Sequence, residues 1–109
     1  MNFYHQGQYR TALPLAKEYA RITERQYGLS HTEYASALSL LGRIYYSKGN
    51  YQASEPKFKQ ALKINEQALG PNHPEVAKNL KDLAELYYAL VHFKKADALM
   101  ARAKKISRN

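Results

Sequence analysis

The sequence repeats itself at a constant offset of 42 residues. The segment Gly7-Gln8-Tyr9 returns as Gly49-Asn50-Tyr51 and, more loosely, as Val91-His92-Phe93. Further matches continue without a gap and pair Pro14 with Pro56, Gly28 with Gly70, His31 with His73, Leu38 with Leu80, and Tyr45-Tyr46 with Tyr87-Tyr88. Such a repeat predicts consecutive copies of one structural unit, each of which buries its apolar side by stacking on the next.

Each copy is predicted to be a helix, a tight turn and a second helix. Apolar residues recur at intervals of three and four, which is the period of a half-buried helix. The stripes of the two first helices are Tyr34, Ala35, Leu38, Leu41, Gly42 and Tyr45, and then Val76, Ala77, Leu80, Leu83, Ala84 and Tyr87. Second helices are predicted over about 51–69 and 93–107. Gly49 is free to adopt a positive φ in the turn, and Asn50 can cap the helix that follows.

Composition narrows the class of protein. With 109 residues, 45% of them apolar, the chain has room for one domain with a modest core. The absence of cysteine excludes disulfide frameworks and thiolate catalysis. No apolar run approaches the length that spans a bilayer, and no secretory leader opens the chain. We therefore expect a soluble, cytoplasmic protein or a fragment of one.

The small and large residues of the hairpin resemble a known repeat. The spacing of Leu41-Gly42, Tyr45, Gly49, Tyr51, Ser54, Phe58 and Ala61, repeated in Leu83-Ala84, Tyr87, Phe93, Ala96, Met100 and Ala103, is similar to that of the tetratricopeptide repeat. The usual repeat has about 34 residues. The longer form found here, with Glu-Gln-Ala-Leu-Gly-Pro-Asn-His-Pro-Glu-Val-Ala at 66–77, resembles the repeats of kinesin light chains. The resemblance implies an all-α, right-handed superhelical solenoid of antiparallel helix pairs with about five helices.

The resemblance divides the chain as one tetratricopeptide domain over residues 1–109. Residues 8–27 are expected to form the second helix of a partial repeat, followed by full repeats over 32–69 and 74–108. Met1 to Gln6 align with Arg43 to Lys48, the tail of a first helix. Two interpretations follow. The chain is part of a longer array with further repeats, or it covers its exposed end helices by forming a homo-oligomer.

Arrays of this family generally bind an extended or helical peptide in a concave groove lined by the first helices. The positions that map to this groove are Ser36, Ser39, Leu40, Arg43, Tyr46 and Ser47, and then Lys78, Lys81, Asp82, Glu85 and Tyr88. Kinesin light chains often carry an Asn-Asn pair here, which is replaced by Ser39-Leu40 and Lys81-Asp82, so their ligand preference does not transfer. Three cations, Arg43, Lys78 and Lys81, are suited to an acidic peptide, and two tyrosines to an apolar anchor.

The expected function is a non-catalytic protein-interaction scaffold without cofactor or metal. The sequence contains no nucleophile with a base and an orienting group, no phosphate-binding loop and no metal-ligand cluster. His31 and His73 belong to successive units whose equivalent atoms should lie about 10 Å apart, which is too far for both to bind one metal ion. A structural role in the loops is therefore predicted for both.

Two alternatives remain open. The first is self-association through the exposed end helices. The second uses the basic C-terminal helix, where Lys94, Lys95, Arg102, Lys104, Lys105 and Arg108 stand against Asp97 and supply +5 of the net charge of +8. Nucleic acid or an anionic surface is the less favoured partner of this helix, because aromatic residues do not alternate with its cations.

Overall fold

The fold is a right-handed stack of helix pairs, as predicted. The computed structural model describes residues 6–108, with side chains from residue 10 onward. Its helices are α1 (Gln6–Tyr27), α2 (Thr32–Ser47), α3 (Tyr51–Leu69), α4 (Pro74–Ala89) and α5 (Phe93–Arg108). Each helix packs on the next along the chain, and α2 also contacts α4. The predicted tail of a first helix lies outside the described residues except for Gln6, which begins α1.

The two loop histidines cap the helices that follow them. Nδ1 of His31 accepts a hydrogen bond from the backbone N–H of Glu33, and Nδ1 of His73 does the same for Glu75, each at 3.0 Å. Each imidazole thus pairs one of the N–H groups that the first turn of a helix leaves free. The predicted structural role of both histidines is confirmed.

A close approach between α2 and α3 defines the packing of the first complete pair. The hydroxyl of Ser54 donates a hydrogen bond to the backbone carbonyl of Gly42 at 2.8 Å. The ring of Phe58 lies so close to Gly42 that an added Cβ would be 2.5 Å from two of its carbons. Ala84 and Met100 hold the equivalent positions in the next pair. The second pair therefore has an alanine and a methionine where the first pair has a glycine and a phenylalanine.

Phe58 also joins the two pairs to each other. It belongs to a buried cluster with Leu83, Leu86 and Tyr87 of α4 and Ala96 of α5. A single helix pair cannot bury both of its faces, so contacts of this kind supply much of the stability of a stacked array.

The two end helices present different outer surfaces. On α1, Leu15, Tyr19 and Ile22 are exposed, with Leu15 at 65%. On α3, Leu62 lies on the side that packs against clusters formed with α4. The equivalent residue of α5, one repeat later, is Lys104. The outer side of α5 is therefore charged at the position where α3 is apolar, whereas α1 exposes an apolar stripe. No helix in residues 6–108 is both long enough and apolar enough to traverse a bilayer.

Val91 holds a strained backbone conformation in the turn between α4 and α5. Its φ is 54°, in the left-handed region, whereas Gly49 at the equivalent place has φ 83°. A β-branched residue pays about 1–2 kcal/mol there, and the 68% exposed Val91 side chain gains little from packing. We expect Val91→Gly to raise the free energy of unfolding by about 1 kcal/mol, measured by urea denaturation. Val91→Ala keeps the Cβ and should gain less; an equal gain would show that the left-handed φ is not the cause.

Candidate functional site

The exposed sides of α2 and α4 meet in one surface, which we call the α2–α4 face. Of the predicted groove residues, Ser36, Arg43, Lys78, Lys81, Glu85 and Tyr88 are exposed, and Leu40, Tyr46, Ser47 and Asp82 are half-buried. Ser39 is different, because it is buried at 5% exposure and packs between the helices. The expectation that its side chain faces a ligand across open solvent is therefore corrected: Ser39 lies beneath the surface.

Two of the three predicted cations already have partners within the protein. Nη2 of Arg43 lies 3.5 Å from Oδ2 of Asp82, which links α2 to α4. Nζ of Lys78 lies 3.1 Å from Oε1 of Glu75 on its own helix. Lys81 is exposed, and no salt bridge to it is found in residues 10–108. Among these cations, Lys81 is thus the one most accessible to an anion from outside.

Burial disfavours the charged form of Asp82. Removal from water raises the pKa of its carboxyl above the ordinary aspartate value, and the negative charge of Glu85 adds to this. The positive charge of Arg43 and its long hydrogen bond act in the opposite direction without overcoming burial. The ionised Asp82 is consequently a cost to the folded state near neutral pH.

This cost predicts how stability depends on pH. A carboxyl with a raised pKa in the folded state makes folding less favourable as pH rises through that pKa, and makes no such contribution below its unfolded pKa. We expect Asp82→Asn to raise the urea midpoint at neutral pH, because the amide is neutral throughout. The gain should shrink as the pH falls from the raised pKa of Asp82 in the folded state towards the ordinary aspartate value, and it should be absent below that value. A gain that persists unchanged in acid would contradict the assignment to ionisation.

The two predicted aromatic anchors are oriented by neighbours in their own hairpins. The ring of Tyr46 lies 5.5 Å from that of Tyr51. The hydroxyl of Tyr88 donates a hydrogen bond to Oδ1 of Asp97 at 2.7 Å, and its ring lies 6.4 Å from Phe93. Burial, together with the negative charge of Glu85, raises the pKa of Tyr46. Both rings are therefore held in place and still partly open to solvent.

A buried polar network beneath the face was missed from the sequence. Nδ2 of Asn65 donates to Oδ1 of Asn79 at 2.7 Å, and Nδ2 of Asn79 donates to the hydroxyl of Ser39 at 3.3 Å. Asn79 stands one repeat after Ala37, a buried core residue. The sequence signal that could have revealed this network is the amide of Asn79, at a position that is apolar in the preceding copy.

A pocket of about 110 Å³ opens above this network. Its lining is almost entirely polar and consists of Ser36, Ser39, Arg43, Asn65, Glu75, Lys78 and Asn79. The residues come from α2, α3 and α4, so the pocket exists only because two successive units are stacked.

Two cations of the basic helix α5 contact other parts of the protein. Arg102 donates to Oε2 of Glu66 at 2.5 Å and to the backbone carbonyl of Pro71 at 3.4 Å. Nζ of Lys95 lies over the ring of Tyr87, 5.4 Å from its centre. These contacts fasten α5 to the preceding helices. No group of three or more His, Cys, Asp or Glu side chains able to hold a metal ion occurs among the described residues.

Comparison with known proteins identifies the family to which the repeat belongs. The family described as tetratricopeptide repeat matches residues 1–67 and 35–109. One similar solved structure is the crystal structure of nearly identical TPR-like repeats of a kinesin-light-chain-type protein from Podosopora anserina, with a TM-score of 0.85 at 22% identity. The match covers 95% of this chain and 49% of that one, so this chain spans about half its length. A comparison with curated proteins gave no match. The solved structure establishes the fold, and the family match extends over the whole sequence: the chain belongs to the tetratricopeptide repeat family.

Proposed function

We propose that the chain is a non-catalytic scaffold that binds a peptide segment of a partner protein on the α2–α4 face. Tetratricopeptide repeats generally mediate protein–protein interactions, and their fold typically serves as a scaffold. The observation that carries the proposal is that side chains of two successive units combine on this face. Arg43 of α2 reaches Asp82 of α4, and the Asn79 amide reaches Ser39. One ligand can therefore contact both units at once.

The charges of the face favour an acidic side chain in the peptide. Lys81 is exposed, and the Arg43 side chain is 52% exposed with only a long contact to Asp82. The contact with Asp82 is long, at 3.5 Å, and uses one nitrogen of Arg43, so the guanidinium has further N–H donors for an incoming carboxylate beside Asp82. A bidentate pair of that carboxylate with Arg43 would be stronger than a single long contact.

The tyrosines supply the apolar part of the contact. Tyr46 and Tyr88 are one repeat apart and are held against Tyr51 and Phe93. Rigid aromatic side chains lose little conformational freedom on binding and are common at the centres of interfaces. We expect an aliphatic or aromatic residue of the peptide to pack against them.

A charge-reversal experiment tests this proposal. Peptides are selected from a displayed random library against the purified chain, and their affinities are measured by fluorescence anisotropy. Arg43→Glu combined with Lys81→Glu should weaken binding of acidic peptides by about tenfold or more, equivalent to about 1.4 kcal/mol. The matched control is Lys104→Glu with Lys105→Glu, which makes the same change in net charge on the outer surface of α5.

The two double variants separate the possible outcomes. Weakening by the α2–α4 variant alone supports the proposal, since the total charge change is equal in both. Equal weakening by both variants would show that the overall positive charge of the protein, and not the α2–α4 face, determines the affinity. Unchanged affinity in the α2–α4 variant would exclude this face and direct attention to the apolar stripe of α1.

A further inference from the structure

Glu85 is a carboxylate on the α2–α4 face that has no cationic partner. Its side chain is exposed, and no salt bridge among the described side chains includes it. The two nearest acidic side chains on this side of the protein are already engaged. Asp82 contacts Arg43, and Asp97 accepts a hydrogen bond from the hydroxyl of Tyr88. Glu85 is therefore the carboxylate of this region that a ligand can reach.

The contacts between α2 and α4 place Glu85 beside Tyr46. The hydrogen bonds between the two helices join residues 40 and 39 apart, in the same order along both, so the helices run in the same direction. One of these bonds joins Arg43 to Asp82. Three residues further along each helix, about one turn, stand Tyr46 and Glu85. The negative charge of Glu85 accordingly contributes to the raised pKa of Tyr46.

Aromatic rings lie on both sides of this carboxylate. Tyr46 faces it from α2, and Tyr88 follows it by three residues on α4, which places both side chains on one side of that helix. The Tyr88 side chain is 37% exposed, and that of Tyr46 is half-buried. Tyr51 lies behind the first ring and Phe93 behind the second, with centres 5.5 and 6.4 Å away. The two tyrosines therefore form fixed walls around Glu85.

A carboxylate between aromatic rings is suited to a cation. The face of a tyrosine ring is negative and attracts positive charge, and Glu85 adds a full negative charge. The neighbouring Lys81, four residues earlier on α4, forms no salt bridge with Glu85 among the described side chains. A guanidinium group fits better than an ammonium group, because it is planar, stacks on rings and donates two parallel N–H bonds to a carboxylate.

We propose that Glu85, Tyr46 and Tyr88 form a subsite, the Glu85 subsite, for an arginine side chain of the bound peptide. The guanidinium donates two hydrogen bonds to the carboxylate of Glu85 and lies against a tyrosine ring. This inference rests on the proposed peptide-binding function and adds a basic residue to the acidic one expected at Arg43 and Lys81. The face then recognises a pair of opposite charges, which fixes the direction of the peptide.

The spacing of the two charges follows from the helix. Lys81 and Glu85 are four residues apart, which is about 6 Å along the helix axis. Alternate residues of an extended peptide point to the same side and lie about 7 Å apart. We therefore expect the acidic residue and the arginine of the peptide to be separated by one residue.

The subsite is tested first with a small probe that needs no known partner. Acetyl-arginine amide is titrated into isotope-labelled protein, and the ring signals of Tyr46 and Tyr88 are followed by NMR. We expect saturable shifts at millimolar concentrations. Acetyl-citrulline amide has the same size but a neutral urea group, and it should bind about tenfold more weakly. No saturable shift, or equal binding of the two probes, would overturn the proposal.

Three variants show whether the shifts come from this subsite. Glu85→Gln keeps the size of the side chain and should weaken binding of acetyl-arginine amide about tenfold, without changing the binding of the citrulline probe. Tyr88→Leu removes one ring and should weaken it about threefold. The matched control is Glu33→Gln, which removes the same charge from an exposed position at the start of α2 and should leave binding unchanged. Equal weakening by both glutamate variants, or a full response in Glu85→Gln and Tyr88→Leu, would refute the site.

The peptides selected against the α2–α4 face supply the second test. We expect arginine at one fixed position, and its replacement by citrulline should weaken binding to the wild type about tenfold but not binding to Glu85→Gln. Peptides that respond to Arg43→Glu with Lys81→Glu, but show no basic preference and no response to Glu85→Gln, would refute the subsite while the peptide-binding function stands. If acetyl-arginine amide binds in a Glu85-dependent manner but no peptide is selected, the peptide-binding function fails while the subsite remains.

Discussion

Replacing Phe58 with alanine should lower the free energy of unfolding by about 3–5 kcal/mol, the usual cost of deleting a buried aromatic ring. Phe58 is 3% exposed and contacts α2 and α4 as well as lying on α3. Its loss opens a cavity at the point where two helix pairs meet. Domains of this size are stable by about 5–15 kcal/mol, so this change removes a large share of the total. Urea denaturation followed by helical circular dichroism measures it.

An exposed residue on the same helix provides the control. Lys63→Ala changes the surface of α3 without touching the core and should alter stability by no more than about 0.5 kcal/mol. Because Phe58 couples the two pairs, Phe58→Ala should also broaden the transition, with a lower m-value as the pairs begin to unfold separately. A loss below about 1 kcal/mol would show that the ring is not a central contact.

Replacing Gly42 with alanine should destabilise the fold by about 1–2 kcal/mol. The new methyl carbon would lie 2.5 Å from two carbons of the Phe58 ring, and relieving such overpacking typically costs about 1–3 kcal/mol. The higher helix propensity of alanine returns up to about 1 kcal/mol. The net loss is notable because glycine-to-alanine changes inside helices are normally stabilising.

The neighbouring pair suggests how to reverse this loss. Ala84 and Met100 occupy the places of Gly42 and Phe58 one repeat later. In a background of Phe58→Met, Gly42→Ala should become neutral or stabilising, because a flexible thioether can yield where a ring cannot. The double-mutant cycle should therefore show a favourable coupling of about 1–2 kcal/mol. Additive effects would mean that the ring and the glycine do not share one contact.

Most of the fold could be predicted from the sequence because it depends on local signals that recur. The 42-residue offset gave the number of units, and the period of three and four gave the buried faces of α2 and α4. Glycines and caps marked the turns, including the two histidines. The prediction was less accurate at the start of α1, which begins at Gln6, two residues before the expected boundary, because the repeat aligned Gly7-Gln8 with the turn residues Gly49-Asn50.

The candidate site was predicted less completely because it depends on contacts between units. The helical period indicates which side of α2 is exposed, but it does not fix the rotation closely enough to show that Ser39 is covered by Asn79. The hydrogen bond between those residues joins positions 40 apart in sequence, and the Arg43–Asp82 pair joins positions 39 apart. Neither separation produces a local pattern. The polar pocket between the units therefore appears only in the three-dimensional arrangement.

The exchange of glycine and phenylalanine for alanine and methionine also affects how a nearly duplicated chain finds its correct pairing. Adjacent copies with similar sequences risk swapping partners during folding, which is a characteristic failure of repeat proteins. If α3 paired with α4 in the manner in which it pairs with α2, the Phe58 ring would meet the methyl group of Ala84 instead of the open backbone of Gly42. The mismatch penalises the swapped hairpin without cost to the native one. This difference between the copies thus directs α3 to its own first helix, α2.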